Sequence, residues 1–276
     1  MFPSELFSLF PPFPRNQHVF VAMSFDPMFK LRWEVVIEPT IQGLGLKPIR
    51  VDASTISDSI LTQILRGISD SRLIFADITA VRRRRNSNVM YEIGLAHAVR
   101  QPQEVLLFRS DKIPLLFDVA HVKVNHYAPE TDVTTSKASV KKALTEAMSE
   151  VEQRKGIAVA KATDALDPIA LNIMLGAVEN GVIHHPRLKT MRDFGINLPK
   201  ILAISRLLDL GLVKVKYPTF TLEEIDIPLD EVLKYELTLL GDAVMANFAT
   251  KLEAQQIFDD PAKRHLVDEI FDRYKK

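Results

Sequence analysis

Leu73-Ile-Phe-Ala-Asp77 and, after a polar loop, Asn86-Ser-Asn-Val-Met-Tyr-Glu-Ile-Gly-Leu-Ala-His-Ala98 decide the fold. An apolar run stops at a carboxylate, and a helix then opens with Asn88 and Glu92 in its first turns. In a parallel α/β sheet, ligands sit in the crevice beyond the carboxyl ends of the strands. Glu92 follows Asn88 by four residues, so the two project from one helix face. A carboxylate there can act on a sugar carbon while the helix N-terminus receives phosphate.

The same alternation extends outward from this stretch. Residues 18–24 read as a buried strand. Residues 29–42 read as a helix closed by Gly43-Leu-Gly45, and 46–51 as a second strand ending on Asp52. Residues 54–69 form a helix capped by Ser54 or Thr55, with Ile56, Ile60, Ile64 and Ile68 on one face. The third strand spans 72–76, the third helix 88–100, and the fourth and fifth strands 105–108 and 122–126. A long polar-faced helix follows over 137–154. Strands interleaved with helices at this spacing imply βαβ units and a parallel sheet. Right-handed crossovers then give an α/β, flavodoxin-like three-layer sandwich.

Composition bounds the rest. A chain of 276 residues is long for one core and suggests two domains. The 35 basic residues balance 35 acidic ones, which argues against broad electrostatic binding to nucleic acid or anionic membrane. The absence of cysteine excludes disulfides, thiolate nucleophiles and zinc–thiolate sites, and fits a cytoplasmic protein. No metal site or bound cofactor is expected. Met1 to Pro14 is apolar but broken by four prolines, without a basic n-region, so it does not read as a signal peptide. No run approaches the ~20 apolar residues of a membrane span. Residues 1–16 read as an arm whose Phe2, Phe7, Phe10 and Phe13 would lie on the domain or on a neighbouring subunit. Residues 17–156 form the first domain and 157–276 the second.

The topology gathers polar residues at one edge. Strand ends bring Ser24, Asp52 and Asp77 there, and Glu92 arrives from the following helix, with Asn86, Asn88 and Tyr91 around it. Each has an ordinary structural reading as well. Asp77 and Asp52 can serve as turn or cap residues, Ser24 can satisfy backbone, and Glu92 can sit on a helix surface near the favourable end of the dipole. Convergence from four chain segments singles them out.

Val19-Phe-Val-Ala-Met-Ser-Phe25, Ser71-Arg-Leu-Ile-Phe-Ala-Asp-Ile-Thr79 and Asn86 to Ala98 together resemble the nucleoside 2-deoxyribosyltransferase-like and TIR-like group. The resemblance covers residues 17–128, and its third block is the specific one. It implies a flavodoxin-like sheet and cleavage of N-glycosidic bonds of NAD, nucleosides or nucleotides. By the same resemblance Glu92 is the catalytic carboxylate, and Asp77 and Asn88 are ribose or base contacts. Ser24, Phe25, Asp52 and Asn86, at the same edge, are further candidate substrate contacts. The basic loop Val81-Arg-Arg-Arg-Arg85 departs from the pattern, and its Arg85 is a candidate for phosphate binding or for gating the pocket. Four arginines can equally form a solvated loop or meet a partner's acidic face.

Breaking such a bond passes through an oxocarbenium-like state. A carboxylate stabilises that charge or forms a glycosyl ester. Nicotinamide leaves NAD neutral without a proton, so one carboxylate suffices. An ordinary base leaves better when protonated, which asks for a second acid such as Asp77 or Asp52. No Gly-rich fingerprint follows the first strand, which argues against a hydride-transferring enzyme. NAD or a nucleotide is therefore expected as substrate, not as cofactor.

In the second half, Asp167-Pro168 caps a helix ending at Asn180-Gly181. Further helices are expected over 188–194 and 198–210, the last closed by Gly211. Strands follow at 212–216 and 233–238. Three helices and a hairpin resemble a winged helix, extended by helices from Leu239 onward. Lys200 and Arg206 are offset by Asp209 and by the acidic insert Glu223, Glu224, Asp226 and Asp230, which favours protein contact or oligomerisation over duplex binding. Residues 156–165 could form a helical joint. The joined architecture resembles effectors of bacterial anti-phage defence, including those of retron systems. That implies a regulated toxin with partner proteins, homo-oligomers or a nucleic-acid-containing complex. A nucleotide-sensing binding protein or transcription regulator, and a nucleoside deoxyribosyltransferase, are the alternatives.

Overall fold

The computed structural model describes residue 11 and residues 15–51, 60–115, 122–186, 190–216 and 233–254. Asp52, the Ser54 or Thr55 cap, the phenylalanines of the arm and the acidic insert lie outside the described residues. The chain divides into two compact units, Met1–Arg154 and Lys155–Lys276.

The first unit carries a five-stranded parallel sheet in the order β2-β1-β3-β4-β5. Its strands are β1 (Asn16–Ala22), β2 (Lys47–Ile49), β3 (Ser71–Asp77), β4 (Val105–Arg109) and β5 (Val124–His126). This is the flavodoxin-like order, whose switch point lies between β1 and β3. The period of two sorts the side chains between two layers. Val19, Val21, Leu73, Phe75 and Phe108 pack with Val36, Ile37, Ile41, Val140, Leu144 and Ala147 on one face. Phe20, Ala22, Ile74, Ala76 and Leu107 pack with Ile64, Ile68, Val89, Ile93 and Ala96 on the other. Central strands buried on both faces explain the unbroken apolar runs.

The helices follow from the same pattern, with local exceptions. Between β1 and β2 the chain forms a π-helical segment, Arg32–Ile37, that continues into α1 (Glu38–Gln42). The single helix expected there is thus wound more loosely at its start, and π-bulges of this kind are frequent at functional sites. Helix α2 (Ile60–Asp70) packs Gly67 so tightly on Phe20 that an added Cβ would lie 2.4 Å from the ring. Helix α3 (Ser87–Val99) follows β3, and α4 (Val133–Asp164) continues through most of the expected joint.

The second unit contains α5 (Pro168–Asn180), β6 (Ile183–His184), α6 (Met191–Asp209), β7 (Val213–Lys216), β8 (Lys234–Leu237) and α7 (Leu239–Ala254). The strands form an antiparallel sheet in the order β6-β8-β7. Asp167 caps α5 by accepting from the amides of Ile169 and Ala170, and Gly181 ends it with φ of 72°. The two helices expected over 188–194 and 198–210 are one. Pro199 sits inside α6 without breaking it, while Ala203, Ile204 and Leu207 bury the helix downstream. Proline removes one backbone hydrogen bond, and tertiary burial here outweighs that loss. Among the described residues, the expected set of three helices before the hairpin is therefore two, α5 and α6, with β6 between them. Among the described residues, no helix is long and apolar enough to cross a membrane.

Candidate active site

Helix α3 begins where Asn86 turns out of the extended region, its side chain accepting from the amides of Asn88 (2.9 Å) and Val89 (3.3 Å). Its Nδ2 donates to Ser24 Oγ at 3.4 Å, and that hydroxyl also receives the Asp26 amide at 3.2 Å. Asn86 thus serves as helix cap and as a tie to the segment leaving β1. Ser24 and Asn86 are brought together as their sequence positions suggested.

One turn further along α3, Glu92 lines a cleft of about 470 Å³. Met23 and Phe25 after β1, Val51 after β2, Ile60, Leu61 and Ile64 of α2, and Asn86, Asn88, Val89 and Tyr91 form the rest of its wall. The cleft is walled by segments that follow β1, β2 and β3, and so takes in the switch point between β1 and β3. It is apolar with a few polar groups, which is the usual composition of a small-molecule site. Burial in this wall pushes the Glu92 carboxyl up to about 7, against the opposing pull of the Arg50 charge. Phe25 and Tyr91 are more than half exposed at its margin.

Arg50 was not apparent as a site residue in the sequence. Its guanidinium lies 4.2 Å from the Phe25 ring centroid and 4.7 Å from that of Trp33, and Nη2 donates to the Ser24 carbonyl at 3.4 Å. Two rings and a carbonyl hold the cation beside the carboxylate. Its one sequence signal is its position directly after β2, where a parallel sheet gathers ligand contacts.

The structure places Asp77 elsewhere. It ends β3 as expected, but its carboxylate is buried in a network of its own. Oδ2 receives Arg32 Nη1 at 3.0 Å and the Tyr127 hydroxyl at 2.5 Å; Oδ1 receives the Thr79 amide at 2.9 Å and its hydroxyl at 2.5 Å. Arg32 also donates to Glu130. Asp77 is not part of the Glu92 cleft wall. Arg85 likewise turns inward, donating to the carbonyls of Ile78, Ile113 and Pro114 and pairing with Asp111 at 3.6 Å.

A larger cavity, of about 590 Å³, lies beside the start of β4 and is walled by His97, Gln103, Lys123, Glu146, Glu150 and Arg154 among others. It stands away from the carboxyl ends of the strands and contains none of the expected site residues.

No protein-family model matches this chain, and no curated protein does. Among solved structures, a 2-desoxiribosyltransferase from Leishmania mexicana is similar over 36% of this chain and 66% of its own, at 18% identity and a TM-score of 0.30. The flavodiiron core of Flv1 from Synechocystis sp. PCC6803 is similar over 50% of this chain and 36% of its own, at 12% identity and a TM-score of 0.37.

Proposed function

We propose that this protein cleaves an N-glycosidic bond of a nucleotide, with NAD as the leading substrate and Glu92 as the reacting carboxylate. One observation carries the reading. Glu92 is the charged side chain among the described residues lining an apolar cleft at the switch point, and it is partly desolvated there. Such a wall strengthens the interaction of a carboxylate with positive charge developing on a sugar. The bond from C1′ to the ring nitrogen breaks and its electron pair neutralises the pyridinium. Glu92 stabilises the oxocarbenium-like carbon until water adds there and loses its proton to Glu92 or to solvent.

The engagement of Asp77 by Arg32, Tyr127 and Thr79 supports the choice of substrate, because it withdraws one candidate for the second acid. A leaving group that departs neutral needs no such acid. A bound cationic ring would also draw the Glu92 pKa down and favour its ionised form.

Purified protein incubated with NAD and a panel of nucleosides and nucleotides, followed by HPLC, tests this. Wild type should release nicotinamide, and Glu92→Gln should reduce that rate by roughly 10³-fold while leaving affinity within a few-fold. Tight nucleotide binding with no released base in any arm would replace the enzyme by a nucleotide-sensing protein. Ionised Glu92 as the working form predicts a rate that rises with pH through about 7 in the free enzyme. The finer reading, a regulated toxin effector of bacterial anti-phage defence acting with partner proteins, rests on the motif resemblance. A separate C-terminal unit, which nucleoside salvage does not require, also supports it.

A further inference from the structure

The loop between β3 and α3 is built around a strained turn. Val81 and Arg84 exchange both backbone hydrogen bonds at 2.8 Å, leaving Arg82 and Arg83 as the two central residues. Their φ angles are 49° and 65°, so both adopt the left-handed conformation. Tight two-residue turns of this geometry normally take Asn-Gly, because a side chain with a Cβ is disfavoured there. Two consecutive arginines are a poor choice for stability alone.

The rest of the loop holds the turn in place. Arg85 is tied to the carbonyls of Ile78, Ile113 and Pro114, and the Ala80 amide donates to Asp111 at 2.9 Å. Arg82, Arg83 and Arg84 are exposed, and no side-chain hydrogen bond or ion pair is found for them among the described residues. Three cations are thus presented together on a braced, strained tip. Strain of this kind persists where the surroundings over-determine it, and it clusters at ligand clamps.

The tip is also close along the chain to the cleft wall. Arg84 precedes Asn86, a residue of the cleft wall, by two positions, so their Cα atoms lie within about 7.6 Å by chain geometry. An arginine side chain spans roughly as far again, so its guanidinium is long enough to reach the mouth of the site.

We propose that Arg82, Arg83 and Arg84 form the phosphate-binding element of this cleft. The substrate then carries two or more linked phosphates and is not a free nucleoside. The inference rests on the glycosidase reading for what fills the cleft, but not for the anion site itself. Linked phosphates come from a dinucleotide diphosphate or from a polynucleotide, and their oxygens accept from guanidinium groups in the same way.

The test compares the full chain with a double variant, Arg82→Asn with Arg83→Gly, by calorimetric titration at low salt, using the Glu92→Gln background for NAD. The double variant introduces the residues the turn geometry favours. It should melt a few degrees higher than its parent while binding inorganic pyrophosphate at least tenfold more weakly. NAD should weaken similarly, and nicotinamide riboside, which lacks phosphate, should change less than twofold. Arg82→Lys with Arg83→Lys should keep most of the pyrophosphate affinity. A single-stranded 12-nucleotide DNA weakened more than NAD would identify polynucleotide as the source; the reverse would identify the dinucleotide. Equal pyrophosphate and NAD affinities in parent and folded double variant would overturn the proposal, as would no pyrophosphate binding to either. Turn-dependent pyrophosphate binding with no affinity for NAD or any nucleoside would uphold the anion site and sink the glycosidase reading.

Discussion

Two arginine–carboxylate arrangements lie at the carboxyl edge of the same sheet, and they are built in opposite ways. Asp77 is 2% exposed and accepts from four donor groups on Arg32, Tyr127 and Thr79. Glu92 lines a cleft, and burial outweighs the pull of the Arg50 charge. In the first, every oxygen is partnered and the group serves as structure. In the second, desolvation is left incompletely compensated, which is how a carboxylate acquires a pKa suited to chemistry. Proximity of a carboxylate to a strand end does not separate these roles; the count and geometry of its partners does.

The largest expected effect is on the structural member. Asp77→Ala removes the partner of a guanidinium buried at 2% exposure, so the Arg32 charge keeps Glu130 but loses its closest interior counter-ion. Breaking a buried pair from one side costs about 3–5 kcal/mol. Urea denaturation should show a loss of this size. A loss below about 1 kcal/mol would mean that solvent or Glu130 compensates, and the contrast with Glu92 would weaken.

Packing gives a second, smaller effect. Gly67→Ala places a methyl group 2.4 Å from the buried Phe20 ring, and neither α2 nor β1 can move freely. Overpacking of this kind costs about 1–3 kcal/mol. Because Ile64 and Met23 line the cleft from these same elements or their continuation, the variant should also raise KM more than it lowers kcat.

These contrasts also mark what could be read from the chain. Buried parallel strands announce themselves as apolar runs, and Asn88 followed four residues later by Glu92 on one helix face is a local pattern; both were therefore legible. The cap at Asn86, one residue before the helix begins, was not. The Asp77 network was not, because Arg32 lies 45 residues away and Tyr127 lies 50 away, and no local signal couples them. Arg50 acquires meaning through Phe25 and Trp33, which meet it only in the folded unit. The left-handed turn at Arg82 and Arg83 carries no Asn or Gly to signal it, and Pro199 signals a break that tertiary burial overrides.

Glu92→Gln should behave in the opposite sense to Asp77→Ala when stability is the readout. The folded-state pKa of Glu92 is raised, from an ordinary 4.5 to about 7. Its contribution to stability is therefore fully present below about 4.5 and is lost as pH rises through about 7. Glutamine is neutral throughout and escapes that loss. Solvent still reaches the carboxylate, so the gain at pH 8 is about 1–2 kcal/mol, well below what the full shift would give. At pH 4 the gain should vanish. Thermal unfolding of the two proteins at both pH values checks this, and a gain of equal size at pH 4 and pH 8 would point to packing instead of ionisation.

The subtlest effect isolates Arg50. Its charge lowers the Glu92 pKa, so Arg50→Gln should raise that pKa further and move the rising limb of the pH–rate profile to higher pH. The same substitution frees one face of Phe25 and of Trp33, so KM is expected to change as well. Arg50→Lys separates the two contributions. Lysine keeps the charge but lacks the planar group that stacks between the rings. It should restore the pH profile while leaving much of the KM defect. If lysine instead rescued KM and not the profile, Arg50 would be acting through shape, and the electrostatic pairing with Glu92 would have to be given up.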